Sequence, residues 1–132
     1  LNWDVPVLGP TSLYSPQLLE LGGDAVEGLY TATGFFALDP DDAVREYVAA
    51  FEEAYGATPN FHAALAYDAM MLLADAIERA GSTDSEAIRD ALAATENFPG
   101  LAGSITFTPN GDAQKGYRKL RIVDGEFVVY GN

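Results

Sequence analysis

The chain has 132 residues, of which 48% are hydrophobic, and its 7 Lys and Arg stand against 20 Asp and Glu for a net charge of −13. That length holds one small domain but not two complete ones, the charge repels a phosphate backbone and an anionic membrane surface alike, and no apolar run reaches the ~18 residues of a membrane-spanning helix. With no Cys, disulfides, thiolate metal sites and Cys nucleophiles are excluded.

Four of the seven cations (Lys115, Arg118, Lys119 and Arg121) fall in one short stretch, so residues 1–112 are more acidic still. A solubilising acidic surface with one basic strand accounts for this, and nucleic acid is not an expected partner. The sequence opens at Leu1, without Met and without a signal-peptide pattern, which leads to the expectation that an N-terminal portion is missing or was removed.

In chain order, Val5 to Gly9 reads as a short buried strand closed by Gly9-Pro10. Ser15-Pro16 supplies an N-cap and a first helical residue for a short helix carrying Leu18, Leu19 and Leu21, stopped by Gly22-Gly23. Leu29 to Phe36, rich in aromatic and β-branched residues, predicts a second strand. Asp39-Pro40 then opens a helix with Val44, Val48, Phe51 and Tyr55 at three-to-four spacing, closed by Gly56 and Pro59. A more apolar helix follows from Phe61 to Ala80, where Leu65, Met71, Leu72 and Ile77 predict burial on more than one side. Thr83 and Glu86 form a capping-box pattern ahead of Ile88 and Leu92 in a third helix.

Beyond the turn-like Asn97-Phe98-Pro99-Gly100 the period changes to two. Ile105 and Phe107 precede a turn at Pro109-Asn110-Gly111-Asp112; Leu120 and Ile122 then share one face, with Lys119 and Arg121 on the other. Asp124-Gly125 marks a hairpin into Phe127 to Tyr130. Strand, helix, strand, three helices and then strands predict an α/β architecture, with no internal repeat.

No catalytic set is complete. The single histidine, His62, has no further His or Cys to make a metal site. Ser12 lies in Gly9-Pro10-Thr11-Ser12-Leu13, which is not the Gly-x-Ser-x-Gly elbow of a hydrolase. Gly22, Gly23 and Gly28 belong to no phosphate or dinucleotide loop. Asp39, Asp41 and Asp42 lack the Gly and terminal Glu of a calcium loop and suit a helix start instead. Neither a metal nor a cofactor is expected. Two places where α/β proteins bind ligands remain: the polar loop Thr11-Ser12 after a strand, and the helix start Phe61-His62, both with free backbone N–H groups.

Val5-Pro6-Val7-Leu8-Gly9-Pro10 followed by Leu21-Gly22-Gly23-Asp24-Ala25-Val26-Glu27-Gly28 resembles the leucine/isoleucine/valine-binding proteins of branched-chain amino acid transporters. So do residues 63–78, AALAYDAMMLLADAIE, and Gly103-Ser104-Ile105-Thr106-Phe107 with Asn110-Gly111-Asp112. The likeness runs over nearly the whole chain in the right order. It implies a type I periplasmic-binding-protein fold: two α/β lobes, hinge crossovers, and ligand in the cleft. This chain would be an incomplete, C-terminal part, with residues 1–34 in one lobe, 35–116 supplying helices and strand of the other, and 117–132 forming a hinge-crossing strand and terminal hairpin.

The resemblance further implies that Thr11 stands where amino-acid-binding members place a carboxylate against the ligand ammonium, and that His62, with Phe61 beside it, stands at an aromatic cleft position. Groups gripping the ligand carboxylate would lie upstream of this chain. The expected function is an extracytoplasmic receptor, on the periplasmic or extracellular face of the membrane, either free or lipoprotein-anchored. It would deliver a branched-chain amino acid, or a related amide or carboxylate, to the permease of an ABC transporter. The expected partners are that solute, the permease and the missing N-terminal part, or a second copy of the fragment through self-association. A sensor domain of the same fold is the alternative, and an enzyme lacks a nucleophile–base set.

Overall fold

The computed structural model describes residues 5–101 and 103–131; the first four positions of the expected first lobe lie outside them. The chain divides into two compact units, one made of the residues up to Gly34 together with those from Tyr117 onward, the other of Phe35–Gly116.

The first unit is built on a three-stranded antiparallel sheet of β1 (Tyr30–Thr33), β5 (Arg118–Val123) and β6 (Glu126–Val129), in the order β1-β5-β6. Strand β5 is central, pairing Tyr30 with Arg121 on one side and Val128 with Arg121 on the other. The period-two pattern works as its spacing dictates: Leu120 and Ile122 are 0% exposed, while the alternate positions carry Lys119 and Arg121, the latter with its guanidinium 5.3 Å from the Tyr30 ring centre. The β5–β6 turn at Asp124-Gly125 has positive φ at both residues (53° and 75°), as a two-residue type I′ turn requires. Glu27 closes over that turn, its carboxylate accepting from the Asp124 and Gly125 N–H groups at 3.1 and 3.2 Å.

Helix α1 (Pro16–Gly22) starts as its sequence dictates: the Ser15 hydroxyl accepts from the Leu18 N–H, and Pro16 opens the first turn. The expected buried strand at Val5 to Gly9 is corrected. It forms one parallel bridge, Leu8 to Tyr30, with the Gly9 N–H and the Val7 carbonyl bonded to Tyr30, and Leu8 is 78% exposed. A strand read as buried from its apolar content needs neighbours on both faces, and this segment has only one flanking strand among the described residues.

The second unit contains α2 (Asp42–Tyr55), α3 (Phe61–Ala80) and α4 (Ser85–Ala93), together with β2 (Phe98–Gly100), β3 (Gly103–Phe107) and β4 (Ala113–Gln114) in a small antiparallel sheet. Short acidic or amide caps set the helix starts. Asp41, rather than Asp39-Pro40, caps α2 through Ala43, Asn60 caps α3 through Ala63, and Asp84, rather than Thr83, caps α4 through Glu86 and Ala87. Gly56 and Gly81 end α2 and α3 in the left-handed conformation. The predicted burial of α3 on more than one side is also corrected: the buried stripe is Ala64, Asp68, Leu72 and Ala76, while Tyr67, Met70 and Met71 are exposed.

Phe35, Val44 and Ala64 form the core of this unit, with Tyr47, Val48, Phe61 and Leu101 packed against it. Two polar devices tie α3 to α4 and to the small sheet. Arg79 at the end of α3 donates to the Ala91 carbonyl (2.7 Å) and the Thr95 hydroxyl (2.8 Å), and pairs with Asp75 (2.8 Å). Asp68, only 5% exposed, accepts from the Leu101 N–H through Oδ1 at 2.9 Å, while its Oδ2 is buried without a hydrogen-bond partner. Of residues 97–100, expected as a turn, Asn97 turns with φ 55° while 98–100 run as β2, paired with β3. Burial raises the Asp68 pKa, against the smaller opposing pulls of the Leu101 N–H and the Lys115 charge.

Two substitutions probe these contacts. Replacing Glu27 by Ala is expected to cost about 1 kcal/mol in urea unfolding, since it removes two backbone hydrogen bonds at an exposed turn; an unchanged midpoint would show the turn self-sufficient. For Asp68, a raised folded-state pKa means the folded chain holds the proton more firmly than the unfolded one. That contribution is full in acid and is lost as pH rises through the raised value. The stability of the wild type relative to Asp68→Asn is expected to fall with rising pH between the ordinary carboxylate pKa and the raised one, then level off. Unfolding at stepped pH reads this, and a flat difference would contradict it.

Candidate ligand-binding site

Thr11 and Ser12 lie in a single 3₁₀ turn, Thr11–Leu13, that opens after Pro10. The turn is pinned at its start: the Pro10 carbonyl accepts from the Leu13 N–H and from the Thr31 hydroxyl of β1, both at 2.9 Å. A Cβ at Gly9 would sit 1.9 Å from Leu13 Cδ1, so the Leu13 side chain would have to move to admit one. Thr11 is half-buried and Ser12 exposed. Neither their N–H groups nor their hydroxyls find a partner among the described residues. The turn therefore presents two backbone donors and two hydroxyls with no carboxylate, a set that suits a carbonyl or carboxylate oxygen more than a cation.

Phe61 and His62 occupy the first turn of α3 in the second unit, their ring centres 3.9 Å apart with planes tilted by 34°. Asn60 caps the helix through the Ala63 N–H at 3.0 Å. Phe61 is half-buried against the Phe35, Val44 and Ala64 cluster, and His62 is exposed. The structure thus places the four sequence-derived candidates as two local pairs, one in each unit: a donor-bearing turn and an aromatic helix start.

Sequence reasoning missed Asp68 and its surroundings. A groove of about 450 Å³ in the second unit is lined by Glu46, Tyr47, Tyr67, Asp68, Met71 and Pro99 among others, with the Tyr47 and Tyr67 ring centres 4.9 Å apart. Burial raises the Tyr47 pKa, and the Asp68 charge adds to the effect; burial lowers that of Lys115, opposed by Asp68. The usable signal was an acid standing alone on the otherwise apolar stripe at 64, 68, 72 and 76. A second groove, of about 490 Å³ in the first unit, is lined by Pro6, Leu8, Tyr30, Lys119 and Tyr130 among others. None of the four candidates lines either groove. Among the described residues no group of three or more His, Cys, Asp or Glu is placed to hold a metal ion.

Comparison with known proteins matches residues 2–126 to the sequence model of a family described as "Periplasmic binding protein". A crystal structure from Rhodospirillum rubrum, assigned to a branched-chain amino acid ABC transporter, is 40% identical with a TM-score of 0.87 over 98% of this chain and 38% of that one. A solute binding protein of an ABC transporter from Rhodopseudomonas palustris, in complex with 3,4-dihydroxybenzoic acid, is 30% identical with a TM-score of 0.74 over 92% of this chain and 34% of that one. The leucine-, isoleucine-, valine-, threonine- and alanine-binding protein of Pseudomonas aeruginosa is 29% identical over 83% of this chain, which spans 29% of that protein's length. The fold is that of type I periplasmic binding proteins, represented in part, and the chain belongs to the periplasmic binding protein family.

Proposed function

We propose that this chain is the C-terminal part of an extracytoplasmic solute receptor that hands a small molecule to the permease of an ABC transporter, without catalysis. The match across residues 2–126 carries this reading. The two units are read as portions of the two lobes, with Thr11 and Ser12 the candidate ligand contacts of the first and Phe61 and His62 those of the second. Such a receptor works by closure: ligand that contacts both lobes stabilises the closed state by its differential affinity.

The chemistry of the Thr11 turn narrows the solute. A free amino acid brings an ammonium, and burying that charge without an anion costs several kcal/mol. The turn offers neutral donors instead. The preferred solute therefore carries a carboxylate or carbonyl toward this turn, or its ammonium is met by an acid elsewhere in the receptor. An aromatic or branched apolar body suits Phe61 and His62.

Calorimetry on the full-length receptor with leucine, isoleucine, valine, their keto acids and aromatic carboxylates is expected to give binding to a member of this panel and no turnover; product formation from any of them would refute the receptor reading. Thr11→Glu is expected to weaken the native solute at least tenfold through an unpaired charge, by roughly the cost of one buried ionic mismatch. Tight amino-acid binding that ignores this substitution would remove Thr11 from the site. The chain by itself is expected to associate, with the rest of the receptor or with another copy, because Leu8, Met70 and Tyr117 stand exposed and the Val5 to Gly9 segment is bonded on one side. A monodisperse monomer in light scattering with cooperative unfolding would count against that.

A further inference from the structure

A buried carboxyl with one unpartnered oxygen is a cost, and an apolar side chain of similar shape would pack at position 68 without it. What Asp68 does that such a residue cannot is accept from the backbone. Its Oδ1 holds the Leu101 N–H at 2.9 Å across 33 residues of sequence. The turn lies so close on the carboxyl that a Cβ at Gly100 would come within 3.0 Å of Oδ2, 2.8 Å of Ile105 Cδ1 and 3.1 Å of the Gly103 carbonyl. The Leu101 side chain, fixed by this bond, packs against Phe35, Val44 and Ala64, the same cluster that supports Phe61. On α3, Phe61, Ala64 and Asp68 succeed one another along one face at helical spacing.

We infer that Asp68 is a positioning residue for the ligand site: by holding Leu101 it fixes the packing on which Phe61 rests. This depends on the reading of Phe61 as a ligand contact. The carboxyl's environment fits the role. Glu46 and Tyr47 from α2 and Tyr67 beside it on α3 line the same groove, Lys115 supplies the neighbouring positive charge, and the Leu101 N–H is the hydrogen bond that keeps the carboxyl in place.

The test uses the full-length receptor with leucine and its keto acid as probes, and compares Asp68→Asn, which keeps the acceptor, with Asp68→Leu, which keeps the bulk only. Asp68→Leu is expected to speed hydrogen exchange at the Leu101 amide and to weaken binding about tenfold, a typical coupling between a packed support and a site, without a lower melting temperature. Asp68→Asn is expected to retain both protection and affinity. A residue that merely stabilised the fold would move affinity and melting temperature together. Wild-type affinity in Asp68→Leu, or an Asn variant as weak as the Leu variant, overturns the inference. Should Asp68→Leu not fold, the wild type decides: protection at Leu101 is expected to rise on adding probe while Ile88 in α4 is unchanged, and no rise overturns it. If the wild type binds neither probe, leucine and its keto acid are not its solutes and the wider panel tests the receptor reading, while equal Leu101 exchange in the two variants overturns the clamp itself.

Discussion

Strand β5 returns to β1 across the whole of the second unit, and this one pairing organises the chain. Leu120 pairs with Thr31 and Arg118 with Thr33, while the Gly28 N–H donates to the Ile122 carbonyl and the Ile122 N–H to the Leu29 carbonyl, both at 3.0 Å. Closing so long a loop costs conformational entropy, though only logarithmically in its length. The compensation comes from burying Leu120 and Ile122 completely and from placing β5 in the centre, where it satisfies hydrogen-bonding groups on both edges. The Glu27 carboxylate at the β5–β6 turn extends the same tie to residues 97 and 98 positions away. In sequence the second unit is thus an insertion between β1 and β5, and among the described residues it contributes no strand to their sheet.

Within that insertion the helices are joined less by bulk than by small residues and polar links. Ala64 and Ala76 let α3 be approached closely, and a helix with so short a buried stripe gains little from area alone. Arg79 meets the Ala91 carbonyl near the end of α4, where cations are favoured by the helix dipole, and Asp68 grips the turn before β3. The Thr95 carbonyl then accepts from Phe107, and the Asn97 N–H donates to the Thr106 hydroxyl. These bonds are directional, so they set where the β2–β3 turn sits in a way that apolar packing alone leaves open.

Both candidate ligand-binding pairs lie where a regular element begins, and for the same reason. The first N–H groups of any helix or 3₁₀ turn lack internal partners, and a chain that changes direction there exposes them. At Thr11 the Pro10 carbonyl is tied to the Thr31 hydroxyl; at Phe61 the Asn60 side chain caps the Ala63 N–H. Each start thus combines locally unpaired backbone donors with side chains held by a nearby cap or bond.

The sequence by itself determined whatever depends on neighbours within a turn or two. Ser15-Pro16, Gly81 and Asp124-Gly125 act through hydrogen bonds and φ preferences closed locally, so α1, the end of α3 and the final hairpin were legible from their residues. The alternation of Leu120 and Ile122 with Lys119 and Arg121 likewise marked the two faces of β5. The capping choices between Asp39 and Asp41, and between Thr83 and Asp84, were not legible, because adjacent residues of equal capping ability differ only in the backbone angle that the packed helix imposes. What only the tertiary structure decided are the long-range matches: the pairing of β1 with β5, the exposure of Val5 to Leu8, and the role of Asp68. The physical reason is that burial is a property of what lies opposite: the acid at position 68 marks itself only by interrupting an apolar stripe, and its partner, the Leu101 N–H, arrives from 33 residues away.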